Sequence, residues 1–201
     1  MSLLDLPRKV IDTSSRLKNA INVFSEIGTL KEVLVHRPGR EIELIDPFRL
    51  EQLLFSAVLE PETARKEHDR FTKILKDQGV KVIELVDLVA ETFEASSREV
   101  CEEFIETFLD ESSPVLGSSE RQKVKRFLIS RNSVIDMVNF MIGGILTSDL
   151  AVQGPVKLLC DPMPNLYFTR DPFASVGNGI TMHLMKYTVR QRETIFSKFI
   201  F

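Results

Sequence analysis

The chain has no tryptophan and, in 201 residues, only two tyrosines, two cysteines and three histidines. Two cysteines, Cys101 and Cys160, are too few for a disulfide framework. His36, His68 and His183 are scattered and show no ligand spacing to cysteines or carboxylates, so no metal is expected. The longest apolar stretch, around Val138 to Leu146, falls well short of the ~20 residues that span a bilayer, and Gly143-Gly144 breaks it. The segment Met1 to Arg8 lacks the apolar centre of a signal peptide. There is no phosphate loop, dinucleotide fingerprint or serine elbow, and no cofactor is expected. A net charge of -3 gives no electrostatic reason to expect nucleic acid. A protein that neither crosses a membrane nor leaves the cytoplasm is the expectation.

What is present is ordinary globular material, 43% hydrophobic and 27% charged. Residues 1–24 are polar and mixed, and read as a loosely held lead-in. Leu30 to His36 is short and β-branched, and Pro38-Gly39 stops it, so a strand is predicted. Arg49 to Glu60 reads as a loop with a helical turn. From Glu62, Ala64, His68, Phe71 and Leu75 share a helical face that Gly79 ends. Val80 to Leu85 is a second strand, and the order strand, helix, strand predicts an α/β unit.

Residues 86–148 change character. Val100, Cys101, Phe104, Ile105, Phe108 and Leu109 form one helical stripe. Ser119 with Gln122 offers a capping-box start for a helix carrying Val124, Phe127 and Leu128. Val134, Met137, Val138, Met141 and Ile142 form another stripe, closed by Gly143-Gly144. Pro114 separates two of these helices. Strands are predicted again near Val156 to Leu159 and from Tyr167 to Ser175. Asn178-Gly179 predicts a type I′ hairpin, with Ile180 to Met185 returning. Thr188 with Gln191 reads as a capping box for a helix to about Lys198. The apolar tail Ile195, Phe196, Phe199, Ile200 and Phe201 belongs in a core and, without a partner, predicts self-association.

The run Pro164-Asn165-Leu166-Tyr167-Phe168-Thr169-Arg170-Asp171-Pro172 carries the most chemistry. It sets an amide, an aromatic ring and a carboxylate at three-residue steps, and Arg190 follows nineteen residues after Asp171. Such a set suits one small ligand with a cation at one end and an anion at the other. Each residue also has a plain structural reading: a turn cap for Asp171, a turn residue for Asn165, a core ring for Phe168, a solvated surface arginine for Arg190. Arg170 and Arg192 are rivals to Arg190 by type.

This run, together with Glu32 to Glu41, Leu53-Leu54-Phe55-Ser56 and Ala64 to His68, resembles the arginine deiminases, above all those of mycoplasmas. Arg37 departs from the resemblance, standing where relatives tend to carry an acidic residue. The resemblance implies hydrolysis of arginine to citrulline and ammonia. It implies that Asp171 grips the substrate guanidinium, Asn165 bonds its polar end, Phe168 lies along its stem, and Arg190 binds its carboxylate. It implies a five-bladed α/β propeller, of which this chain is a part: blades from 25–85 and 149–201, with 86–148 as an all-α insertion. The family's histidine acid/base and cysteine nucleophile would lie beyond Phe201. Cys101 sits on an apolar stripe, and Asp161 disfavours a thiolate at Cys160. The expected partners are L-arginine, a C-terminal deiminase fragment and further copies of the chain. The alternatives are a non-catalytic remnant or binding module, one half of a split deiminase, and an amidinotransferase of the same propeller class.

Overall fold

The computed structural model describes residues 2–7, 21–112 and 114–201. The remainder of the predicted lead-in, residues 8–20, lies outside the described residues. Within that lead-in, Leu3 and Leu4 form a short 3-10 turn and are buried. The first strand, β1 (Glu32–Val35), and the second, β2 (Lys81–Glu84), pair in parallel with Val33 opposite Val82 and Leu34 opposite Ile83. Between them run α1 (Arg40–Glu43), a 3-10 turn at Pro47–Arg49 and α2 (Pro61–Asp77). The predicted strand–helix–strand unit is therefore present.

The ends of α2 follow from sequence chemistry. Pro61 occupies the first turn, and the Glu60 carboxylate accepts from the amides of Glu62 and Thr63. At the other end Gly79 takes φ +79. Its amide reaches the Lys76 carbonyl at 2.9 Å and that of Val80 reaches Leu75 at 3.0 Å, the paired closure that a left-handed glycine permits. The helix face read as apolar is only partly covered. His68 is buried, whereas Phe71 is 51% exposed.

Four helices follow: α3 (Leu85–Ala95), α4 (Arg98–Asp110), α5 (Ser118–Ile129) and α6 (Val134–Gly143). Ser97 and Ser133 cap α4 and α6 through their hydroxyls. The start of α5 differs from the Ser119/Gln122 expectation. The helix begins two residues earlier, and the Glu120 carboxylate accepts from the Gly117 amide. A glycine N-cap leaves the carboxylate three residues on to close the turn. Gly144, at φ +86, ends α6, and a Cβ there would lie 3.0 Å from the Cys160 carbonyl oxygen. That glycine lets the chain turn tightly into β3 (Ile145–Leu146), which pairs antiparallel with β4 (Leu158–Cys160).

After β4 the Tyr167 to Ser175 strand is corrected. Pro164–Tyr167 is a 3-10 turn, and only β5 (Phe173–Val176) is extended. Pro164 favours turn geometry, and the amides of Phe168 and Asp171 bond back to the carbonyls of Asn165 and Phe168. The hairpin to β6 (Gly179–Met182) is also corrected. Val176 pairs with Gly179, so Gly177 and Asn178 are the central residues. Gly177 alone takes positive φ, +60, which is the II′ pattern and not I′. The last helical segment is broken into α7 (Thr188–Gln191) and α8 (Thr194–Ile200), and Tyr187, not a capping hydroxyl, precedes α7.

One apolar core joins α3 to α6 with β3, β4 and α8. Phe93, Ile105, Phe108, Leu128, Met137 and Met141 are fully enclosed. The tail finds its partners here. Phe196 is 1% exposed, and the Phe199 ring stacks on Phe104 at 4.0 Å. A smaller cluster of Ile42, Ile45 and Leu53, with Val189 packed against it, lies beside the residues of interest.

Candidate functional site

The turn at 164–171, the loop after Pro47–Arg49 and α7 meet at one place. Asn165 is 4% exposed, and its side-chain amide donates to the Leu53 carbonyl at 2.8 Å. That bond holds the loop whose next residue, Leu54, adopts φ +64. A branched side chain in this region is strained and needs such support. Arg190 comes across from α7. Its Nη2 donates to the Asn165 carbonyl at 3.3 Å, and its Nη1 to Asp171 Oδ2 at 2.8 Å. The carboxylate and the arginine are thus in direct contact, where the sequence suggested opposite ends of one ligand.

Arg190 is 9% exposed and not the solvated arginine of the plain reading. The expected supply of free amides around it is reduced, since its own N–H bonds the Tyr187 carbonyl. Its Nε and Nη2 grip both oxygens of Glu193. Glu193, 2% exposed, was missed by sequence reasoning; its position three residues after Arg190 was the available signal. Both are raised, which favours the charge on Arg190 and disfavours it on Glu193. Burial pushes Arg190 down, yet Glu193 and Asp171 together raise it above its ordinary value. Burial also pushes the Glu193 carboxyl up against the opposing charge of Arg190. The Arg190 direction is the firmer, because its guanidinium meets two carboxylates whereas Glu193 meets one guanidinium. An ionised cluster is the state these bonds describe.

The Asp171 side chain remains 47% exposed. With Arg190 it lines an open cleft of about 490 Å³, whose other walls include Leu54, His183, Met185 and Tyr187. That volume suits a small ligand. His183 Nδ1 lies 2.8 Å from the Asp171 carbonyl oxygen, so that nitrogen carries the proton, and Nε2 lies 3.1 Å from the Thr181 hydroxyl, which itself donates to the Ala174 carbonyl. His183 therefore pins the backbone from which the carboxylate projects. Phe168 is 49% exposed and edge-on to Tyr167 at 4.9 Å. It is not a core ring, and it is not among the residues that line the cleft. The rival arginines lie elsewhere: Arg170 forms an exposed pair with Glu26, and the buried Arg192 donates to the Asp161 carbonyl at 2.9 Å.

Neither cysteine is placed for attack. Cys101 and Cys160 are fully buried, and burial raises the Cys160 thiol. The histidines hold one surprise. His36 lies between Glu41 at 3.2 Å and Glu84 at 3.3 Å, and the second of these lies far away along the chain. Burial alone would lower its pKa, but the two carboxylates outweigh it and raise it to about 9. Among the described residues no cluster of histidine, cysteine and carboxylates is arranged to hold a metal ion. No helix is long and apolar enough to cross a membrane, again among the described residues.

A family model described as arginine deiminase matches residues 51–201. The chain is 57% identical to the arginine deiminase of Metamycoplasma hominis over 183 residues, covering 91% of this chain and 44% of that protein. It is 49% identical to a putative arginine deiminase of Mycoplasma pneumoniae, across 92% of this chain and 47% of that protein. It is 45% identical to the arginine deiminase of Clostridium perfringens, across 90% and 46%. The chain thus spans a little under half the length of the curated relatives it matches.

Proposed function

Because the chain belongs to the arginine deiminase family, we propose that it forms the part of a deiminase that holds L-arginine. The reaction is L-arginine and water giving L-citrulline and ammonia. In this reading Asp171 grips the planar guanidinium, Arg190 takes the substrate carboxylate, Asn165 braces the Leu53-Leu54 loop and the polar end, and Phe168 covers the stem. The observation that carries it is the Asp171–Arg190 contact at the cleft. Asp171 already accepts one bond from a guanidinium there, at 2.8 Å. Arginine entering would exchange with that contact, freeing Arg190 to meet the carboxylate.

The chemistry further requires a nucleophile for the guanidinium carbon and an acid to release ammonia. Cys101 and Cys160 are buried, so a cysteine and a histidine from the remainder of a family-length protein would supply them. The chain alone then binds arginine without turning it over, as one half of a split deiminase or as a binding remnant. The parallel β1–α2–β2 unit and the two hairpins are consistent with blades of an incomplete propeller, interrupted by the helices of 86–148. A cytoplasmic protein that works with a C-terminal deiminase fragment completes the reading, and self-association remains an outcome for light scattering.

Calorimetric titration of the chain with L-arginine, beside a citrulline colour assay, tests this. The expected result is binding without citrulline. Asp171→Ala should weaken binding by at least about tenfold, as loss of a charge-assisted bond implies. Arginine binding unchanged by Asp171→Ala would sink the site, and citrulline formed by the chain alone would sink the division of labour.

A further inference from the structure

Resting on the reading that Arg190 takes the substrate carboxylate, we propose that Glu193 is a positioning residue that makes the cleft prefer L-arginine over guanidines lacking that carboxylate. It clamps one edge of the Arg190 guanidinium and leaves a single nitrogen, Nη1, for the ligand. The clamp is built into a turn. The Glu193 amide donates to the Arg190 carbonyl at 3.0 Å, and a spacing of three residues brings the two side chains together. Arg190 Nε donates to Glu193 Oε1 at 3.0 Å, and Nη2 to Oε2 at 2.8 Å. These are the parallel bonds of a guanidinium fork on a carboxylate. Nη2 also donates to the Asn165 carbonyl. Among the described residues, every hydrogen bond that the Glu193 carboxylate accepts comes from Arg190.

Burial assigns the roles. The Glu193 side chain is 1% exposed, against 11% for Arg190 and 47% for Asp171. With Leu166, Phe173 and Phe196 it lines a void of about 10 Å³, too small for a ligand. Arg190 and Asp171 line the open cleft, and Glu193 does not. Glu193 therefore acts on a ligand only through Arg190. Nη1, the nitrogen outside the clamp, donates to the half-exposed Asp171 at 2.8 Å. When a substrate guanidinium takes Asp171, Nη1 loses that acceptor, and the substrate carboxylate is the anion that replaces it. A guanidinium already fixed at its other edge needs no ordering at that moment, which strengthens binding of a ligand that carries the carboxylate. A ligand without one gains nothing from the clamp.

The test is calorimetric titration of the full chain with L-arginine and with agmatine, which is arginine without its carboxylate. The unchanged chain should bind L-arginine the more tightly. Glu193→Asp keeps the charge but is one methylene shorter, so it cannot span Nε and Nη2. It should weaken L-arginine by at least about tenfold and agmatine by less than about threefold. Glu193→Gln keeps the length but turns an NH2 group toward one of the two donors. It should act in the same direction, and it keeps the proposal testable should Glu193→Asp fail to fold. A merely structural role would weaken both ligands alike, and that result overturns the proposal, as does an unchanged preference. Arg190→Ala separates this from the reading beneath it. If Arg190→Ala removes the preference and the Glu193 variants do not, the positioning role fails and the reading stands. If Arg190→Ala keeps the preference, or the unchanged chain binds neither ligand, the reading fails and the proposal with it.

Discussion

The helical block from α3 to α6 and the layer around Arg190 are both buried, but by different means. In the helical block the enclosed groups are apolar: Phe93, Ile105 and Met137 are each at or near zero exposure. Around Arg190 and His36 the enclosed groups are charged: Glu193, Glu41 and His36 are each 2% exposed. Apolar burial tolerates approximate packing and is non-directional. Buried charge demands a partner at hydrogen-bond distance, or the fold loses several kcal/mol. The first block should therefore set how stable the chain is, and the second should set how stability and binding depend on charge and pH.

Emptying the helical core should have the largest effect. Phe93 is fully enclosed and meets the rings of Phe104 and Phe199. Phe93→Ala should cost about 3–5 kcal/mol, read as a lower urea midpoint by far-UV circular dichroism. A loss below about 1 kcal/mol would break the comparison, because the helical block would then not be the source of stability.

Arg190→Ala should come next. It leaves Glu193 buried with no cation, and about 3–4 kcal/mol of destabilisation is expected. Arg190→Ala paired with Glu193→Leu should recover much of that loss, since the uncompensated charge is gone. Arginine binding should not recover with it. A double variant that regained binding would show that Arg190 serves the fold and not the ligand.

How much of this was legible before the structure divides along the same line. The helical block was, because period 3.6 is a local signal: the stripes through Phe104, Phe108, Met137 and Met141 are the residues found enclosed. The α/β unit of β1, α2 and β2 was legible from the order strand, helix, strand. In the charged layer, spacing and resemblance singled out Asp171 and Arg190 but not the bond between them. Glu84 reaches His36 and Arg49 reaches Asp161 across the fold, and no local pattern encodes such pairs. The hairpin failed for a related reason. Asn-Gly is a strong I′ signal, but the strand register placed Gly177 first in the turn.

The His36 cluster sharpens the comparison through pH. Its folded pKa, about 9, lies above the ordinary 6.5. Its contribution is therefore complete below pH 6.5 and is lost as pH rises through about 9. The full span is on the order of 3 kcal/mol. Urea midpoints across pH 6 to 10 should fall, and Glu41→Gln should flatten that fall while lowering stability at pH 6. A profile unchanged by Glu41→Gln would mean that His36 is not held as the cation.

The smallest effect is expected where charges pair without burial. Arg37 meets Asp69 with two bonds, at 2.7 and 2.9 Å. That geometry is as good as the grip of Arg190 on Glu193. The difference is solvent: the Arg37 and Asp69 side chains are 46% and 52% exposed, against 11% and 1% for Arg190 and Glu193. Water screens the first pair and solvates either partner left alone. Asp69→Ala should therefore cost no more than about 1 kcal/mol, and less in high salt, where screening strengthens. Equal losses for Asp69→Ala and Arg190→Ala would mean that bond geometry, not burial, governs the charged layer.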